Sequence, residues 1–206
     1  MKSLRSLRDI LRAEGEEEDA APEKIAFPDP LAERFLKTRT ILLSGEVNKE
    51  TAEKVISRLL LLESQSDDPI RVLIDSPGGD VDAGYAIFDM ARFVKPQVWM
   101  IGMGLVASAG ALILLAAPKE RRVGLPNSHY LIHQPLSGLR GVATDIEIHA
   151  REIERTRDRI NKLIAQETGQ DLERVRKDTD RDYWMTAEEA VAYGLISRTV
   201  NRRDEL

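Results

Sequence analysis

The stretch "QVWMIGMGLVASAGALILLAAP", Gln97 to Pro118, carries no charged residue, although 32% of this 206-residue chain is Asp, Glu, Lys or Arg. A run of about 20 apolar residues is long enough to cross a bilayer. Here Gly102, Gly104 and Gly110 interrupt it, and a buried strand followed by a buried helix gives the same hydropathy. Val98–Ile101 therefore reads as a short core strand and Gly102–Val106 as a turn. Ser108–Ala117 reads as a small-residue helix stopped by Pro118.

The segments on either side fit that reading. "TILLSGEV" and "IRVLIDS" are strand-like, and between them Lys49–Glu63 sets Ala52, Val55, Ile56, Leu59 and Leu60 on one helical face. After "SPGGD" a second helix is expected over about Val81–Phe93, and "SHYLIHQ" reads as a further strand. A long charged helix, about Thr144–Thr168, carries Ile146, Ile153, Ile160 and Ile164. A short one, "TAEEAVAYG", opens on a Thr186 cap with Glu189 three residues on and stops at Gly194. Alternating strands and helices predict an α/β domain. At about 35 Å by its rise per residue, the long helix exceeds what so small a domain can cover. Part of its apolar stripe is therefore expected to face another subunit.

Composition excludes several function classes. With a formal net charge of -5 and no Lys/Arg block clear of acids, no cationic surface for nucleic acid is offered. The chain has no cysteine, and its three histidines are not in metal-ligand spacing, so no metal site is expected. No GxxxxGK[ST] phosphate loop occurs, which argues against ATP binding by this chain. Residues 1–30 differ from the rest: "MKSLRSLRDILR" is basic and amphipathic, "EGEEED" follows, and "FPDP" closes the segment. It lacks the apolar core of a secretory signal and reads as an N-terminal tail or pro-segment before a domain at residues 31–206. No membrane association is expected.

Ser108 is the one hydroxyl in the apolar run. By itself, a serine there reads as a helix cap. Its small-residue setting, "GLVASAG" at a strand-to-helix turn, also leaves room for another backbone beside a helix N-terminus that favours developing negative charge. A nucleophilic serine needs a base and a group to orient that base. His133 ends the strand "SHYLIHQ" ahead of Gln134–Pro135, where side chains reach a cleft; His129 reads as structural and His149 as a surface residue. In "DTDRDYW", spacing does not choose between Asp178, Asp180 and Asp182. The glycines of "DSPGGD" bring backbone N–H groups to the surface. Gly79 and Ala109 amides, if they converge, form an oxyanion hole, and one such donor is worth about 100- to 1000-fold in rate.

Together these stretches resemble the ClpP family, the proteolytic subunits of the Clp protease. The resemblance is carried by "IDSPGGDVDAGYAIFDMARFVKP", "GLVASAGALILLAA", "LPNSHYLIHQPLSG", "GVATDIEIHAREI" and "KDTDRDYWMTAEEAVAYGLI", in order, from about Phe35 to Ser197. It implies a ClpP/crotonase-like fold of stacked ββα units with a protruding handle helix. By position it makes Ser108 the nucleophile, His133 the general base and Asp182 its orienting carboxylate, with Gly79 and Ala109 as oxyanion amides. An extended peptide would pair with Gly79–Val81 and with Leu136, Ser137 and Gly138. Asp180 and Arg181 would join a ring-to-ring contact between two stacked heptamers. The resemblance further implies a separate AAA+ unfoldase that delivers unfolded polypeptides, a cytoplasmic location and no cofactor. Two departures stand out. "EEEDAAPEKIAFPDPLAERFLKTR" replaces the usual axial-pore segment, and Ala109 replaces the methionine common after the nucleophile. A non-catalytic ring subunit and a crotonase-type acyl-CoA enzyme are the competing readings, and the filled serine and histidine positions weigh against both.

Overall fold

The computed structural model describes residues 30–138 and 140–206. The expected tail at residues 1–30 lies outside these except for Pro30. After helix α1 (Pro30–Lys37), the chain alternates β1 (Thr40–Ser44), α2 (Lys49–Glu63), β2 (Ile70–Ser76), α3 (Val81–Phe93) and β3 (Val98–Ala107). Side chains set these boundaries: Asn48 caps α2 through the Thr51 N–H, and Asp80 caps α3 through the Ala83 N–H. Strands β1, β2 and β3 pair in parallel. One face of this sheet buries Ile41, Leu43, Val72 and Ile74 against the helices; a smaller cluster of Ile101, Val123 and Val200 lies apart from that core.

The uncharged run forms core structure, but not with the expected boundaries. Helix α4 is shorter, Ala109–Leu114, and β3 is longer, continuing through the segment expected to turn. Between Ile74–Gly102 and Ser76–Val106 the register shifts, because extra β3 residues bulge out of the ladder. Gly104 takes φ +54 there, and the Leu105 N–H donates to Asp75 Oδ1 at 3.0 Å in place of a ladder partner. The glycines that suggested a turn serve a bulge instead.

That bulge splits the sheet. Before it, Met100–Gly102 pairs with β4 (Arg122–Gly124), which pairs with β7 (Arg198–Thr199). Beyond it, Leu105–Ala107 pairs with β5 (His129–Ile132), which continues antiparallel to β6 (Tyr183–Thr186). One strand thus feeds two sub-sheets, and the second carries the segments singled out in the sequence. His129, expected to be structural, is exposed on β5.

The long helix, α5 (Ala143–Thr168), packs by its C-terminal half alone: Ile160, Asn161, Ile164 and Thr168 are buried, whereas Ile146 and Ile148 are exposed. This is the protruding handle. Helices α6 (Leu172–Asp178) and α7 (Ala187–Tyr193) complete the domain, and α7 opens on the expected Thr186–Glu189 capping box. No helix among the described residues is long and apolar enough to cross a membrane.

Candidate active site

Ser108 joins β3 to α4 in a conformation that L-residues avoid, φ 53 and ψ -121. Its N–H donates to Leu131 O at 2.9 Å, extending the β3–β5 ladder, and its carbonyl accepts the Leu112 N–H at 3.1 Å. Strand and helix thus fix its backbone on both sides. The cap reading fails, since the side chain makes no capping hydrogen bond. Its hydroxyl points instead to His133 Nε2, 2.9 Å away.

His133 directly follows β5, and its Nδ1 lies 2.9 Å from Asp182 Oδ1. An ionised carboxylate only accepts, so Nδ1–H donates to Asp182 and Nε2 is left to accept the serine proton. The other two acids are engaged elsewhere. Asp178 accepts from the Tyr193 hydroxyl at 3.2 Å, and Asp180 pairs with Arg157 at 2.9 Å. Of the three, Asp182 alone reaches the imidazole, a distinction the sequence spacing left open. His133 is 14% exposed at its side chain and Asp182 61%, so the carboxylate sits in the wet half of the line.

The glycine turn packs against the Ser108–Ala109 peptide. A Cβ on Gly78 would lie 2.6 Å from Ser108 Cβ and 2.9 Å from Ala109 N. Ala109 is the first residue of α4, so its N–H has no intrahelical acceptor. Gly79 bridges Val47 through its neighbours: Val47 N–H donates to Gly78 O, and Asp80 N–H donates to Val47 O. That pattern turns the Gly79 amide away from Val47. Beside Ser108 opens a small cleft lined by apolar groups, among them Val81, Leu112, Ile132, Ile160 and Ile164. Leu136, Ser137 and Gly138 lie on exposed chain and do not line it. Arg181 is exposed as well. Among the described residues, no group of three or more His, Cys, Asp or Glu is placed to hold a metal ion.

The family model described as Clp protease matches residues 28–203. The chain belongs to the Clp protease family. It is 63% identical over 179 residues to the "ATP-dependent Clp protease proteolytic subunit 2" of Treponema denticola, covering 86% of this chain and 90% of that one. It is 51% identical to the "proteolytic subunit 3" of Rhizobium etli, over 93% of this chain and 98% of that one. Among solved structures, a point mutant of ClpP1 from Listeria monocytogenes superposes with TM-score 0.79 at 51% identity, covering 84% of this chain and 98% of that one. The ClpP/crotonase-like fold expected from the sequence motifs is the fold of this Clp protease family member.

Sequence reasoning overlooked the groups that seat these side chains. The Gln134 N–H donates to Thr179 O at 2.7 Å, and the buried Asn161 accepts from the Thr179 hydroxyl at 2.8 Å. The one available signal was an amide side chain placed among the buried positions of a charged helix.

Proposed function

We propose that this chain is the proteolytic subunit of a Clp-type protease, a serine endopeptidase acting on unfolded polypeptides delivered by a separate ATP-driven unfoldase. The observation that carries the assignment of roles is the unbroken line from Asp182 Oδ1 through the His133 ring to Ser108 Oγ, with both links at 2.9 Å. Ser108 Oγ attacks the scissile carbonyl while His133 Nε2 takes its proton, and Asp182 stabilises the resulting imidazolium. The Gly79 and Ala109 amides receive the oxyanion, the leaving amine takes the proton back from His133, and water then hydrolyses the acyl-enzyme by the same relay. No cofactor takes part.

The apolar cleft beside Ser108 favours an apolar side chain on the residue before the cut. The peptide runs extended between Gly79–Val81 and Leu136–Gly138, and main-chain pairing accounts for broad sequence tolerance. Residues 31–206 form the peptidase domain and residues 1–30 a tail or pro-segment. The exposed half of α5, with Ile146 and Ile148, and the Asp180–Arg181 segment support assembly as two stacked heptamers in the cytoplasm. The test is covalent: a fluorophosphonate is expected to label Ser108, and Ser108→Ala to lose both labelling and peptide cleavage. Cleavage retained by that variant overturns the assignment.

A further inference from the structure

Where β3 and β4 begin, a cleft opens between the turn that follows α3 and the segment that leads from α4 into β4. Three cations line it, Arg92, Lys95 and Arg121, with one carboxylate, Glu167. That carboxylate is already engaged. Arg92 Nη2 lies 2.7 Å from Glu167 Oε1, and Nη1 of the fully buried Arg122 lies 3.4 Å from its Oε2. Arg92 also holds main chain, donating Nε to Ala116 O at 3.0 Å and Nη2 to Leu115 O at 3.2 Å. The other two cations have no such partner: neither Lys95 nor Arg121 forms an ion pair among the described residues. Arg121 Nε is buried there without a hydrogen-bond acceptor. A charged donor taken out of water with no acceptor is costly, and native proteins rarely leave one so. Two more carboxylates stand outside the lining. Glu63 accepts the Lys95 N–H at 2.8 Å, and Glu120 lies close enough to Arg122 to offset part of its charge.

We infer that this cleft binds a phosphate group, held by the Arg121 guanidinium and the Lys95 ammonium. Charge decides the class of ligand. With Glu167 shared between Arg92 and Arg122, two unpaired cations face the cleft, and a phosphate group carries close to two negative charges near neutral pH. A carboxylate would match only one of them. Arginine presents parallel N–H groups that meet two phosphate oxygens at once, and lysine meets a third as a point charge. Pro96 and Pro118 in the lining have no N–H to offer, so side chains carry the recognition rather than a phosphate-loop backbone. The cleft lies beyond the C-terminal end of α4, whereas Ser108 precedes its N-terminal end. The inference is therefore independent of the catalytic assignment.

The experiment titrates inorganic phosphate into the full-length protein and follows calorimetry and phosphorus NMR line width, with ionic strength held constant by sodium chloride. The expected dissociation constant is on the order of 1 mM, the scale of two or three charge-assisted hydrogen bonds. Arg121→Gln and Lys95→Gln are each expected to weaken binding about tenfold, and the double variant to abolish it. Lys54→Gln, which breaks an exposed pair with Glu50 on α2, leaves binding unchanged. Thermal unfolding without phosphate checks that each variant is folded, and Arg121→Lys, which keeps the charge and loses the fork, should retain part of the affinity. Displacement by glycerol phosphate shows that the site accepts a phosphate ester; binding of inorganic phosphate without that displacement shows that it takes the free ion, and either result supports the proposal. No binding by the parent, undiminished binding by Arg121→Gln, an equal loss in Lys54→Gln, or displacement by acetate as effective as by phosphate overturns it.

Discussion

Ser108 and Arg39 are the non-glycine residues with positive φ among those described, and Ser108 provides a measurement of stored backbone strain. Replacing Ser108 by Ala or by Gly removes the same hydroxyl and the same hydrogen bond to His133, so those losses cancel between the two variants. What differs is the backbone. Alanine keeps a Cβ at φ 53 and ψ -121, a conformation costing about 1–3 kcal/mol. Glycine escapes that cost but loses about 0.5–1 kcal/mol more chain entropy on folding. The Gly variant should therefore be more stable by roughly 1 kcal/mol, or about 2–4 °C in Tm for a chain of this size. In a helix interior the order runs the other way. Thermal unfolding of both variants, matched in native mass, reads the difference. Equal stability, or Ala the more stable, refutes the strain, and with it the view that the fold holds Ser108 in a conformation it would not choose.

Gly78→Ala puts a methyl 2.6 Å from Ser108 Cβ and 2.7 Å from Ala107 O, at φ +91. It should destabilise the protein by about 2 kcal/mol or more and abolish cleavage, as unfolding curves and peptide assays would reveal. Burial pushes the Tyr130 hydroxyl up to about 12 from 10, partly offset by the hydrogen bond from Ser128. Its proton is held more tightly in the folded state, so its contribution is intact below about pH 10 and is lost as pH rises towards 12. The loss is about 2–3 kcal/mol in all. Urea midpoints measured from pH 9 to 11.5 should fall less steeply in Tyr130→Phe than in the parent, and an identical slope contradicts this account.

How much of this could be read in the sequence depended on whether a local signal existed. The bounds of α2, β2 and α3 follow from Asn48 and Asp80 as caps and from strict periodicity between them, and the structure keeps those bounds. The extension of β3 had no local signal. Glycines at 102 and 104 look the same in a turn and in a bulge, and what distinguishes them is the Asp75 carboxylate, distant in sequence, taking the Leu105 N–H. The three acids of "DTDRDYW" were equally ambiguous. Their separation depends on Tyr193 and Arg157, which lie on other helices and engage Asp178 and Asp180. Nothing in "GLVASAG" announces a positive φ at its serine. The long helix was legible as longer than its support because length and charge are both local properties, and its first half is indeed exposed.

These origins imply unequal stiffness along the line from Asp182 through His133 to Ser108. Ser108 is held through main-chain bonds to a buried strand and to α4, and His133 follows directly on that same strand. Displacing either one means breaking sheet. Asp182 has no such support: its carboxylate is largely in water, where a single ion pair contributes about 1 kcal/mol at most and so cannot hold its own geometry. Ser108 is fixed by the core of the domain, and the segment ahead of Asp182 by Asn161 and Arg157 of the projecting helix. Displacing that helix is therefore expected to move Asp182 before it moves Ser108 or His133.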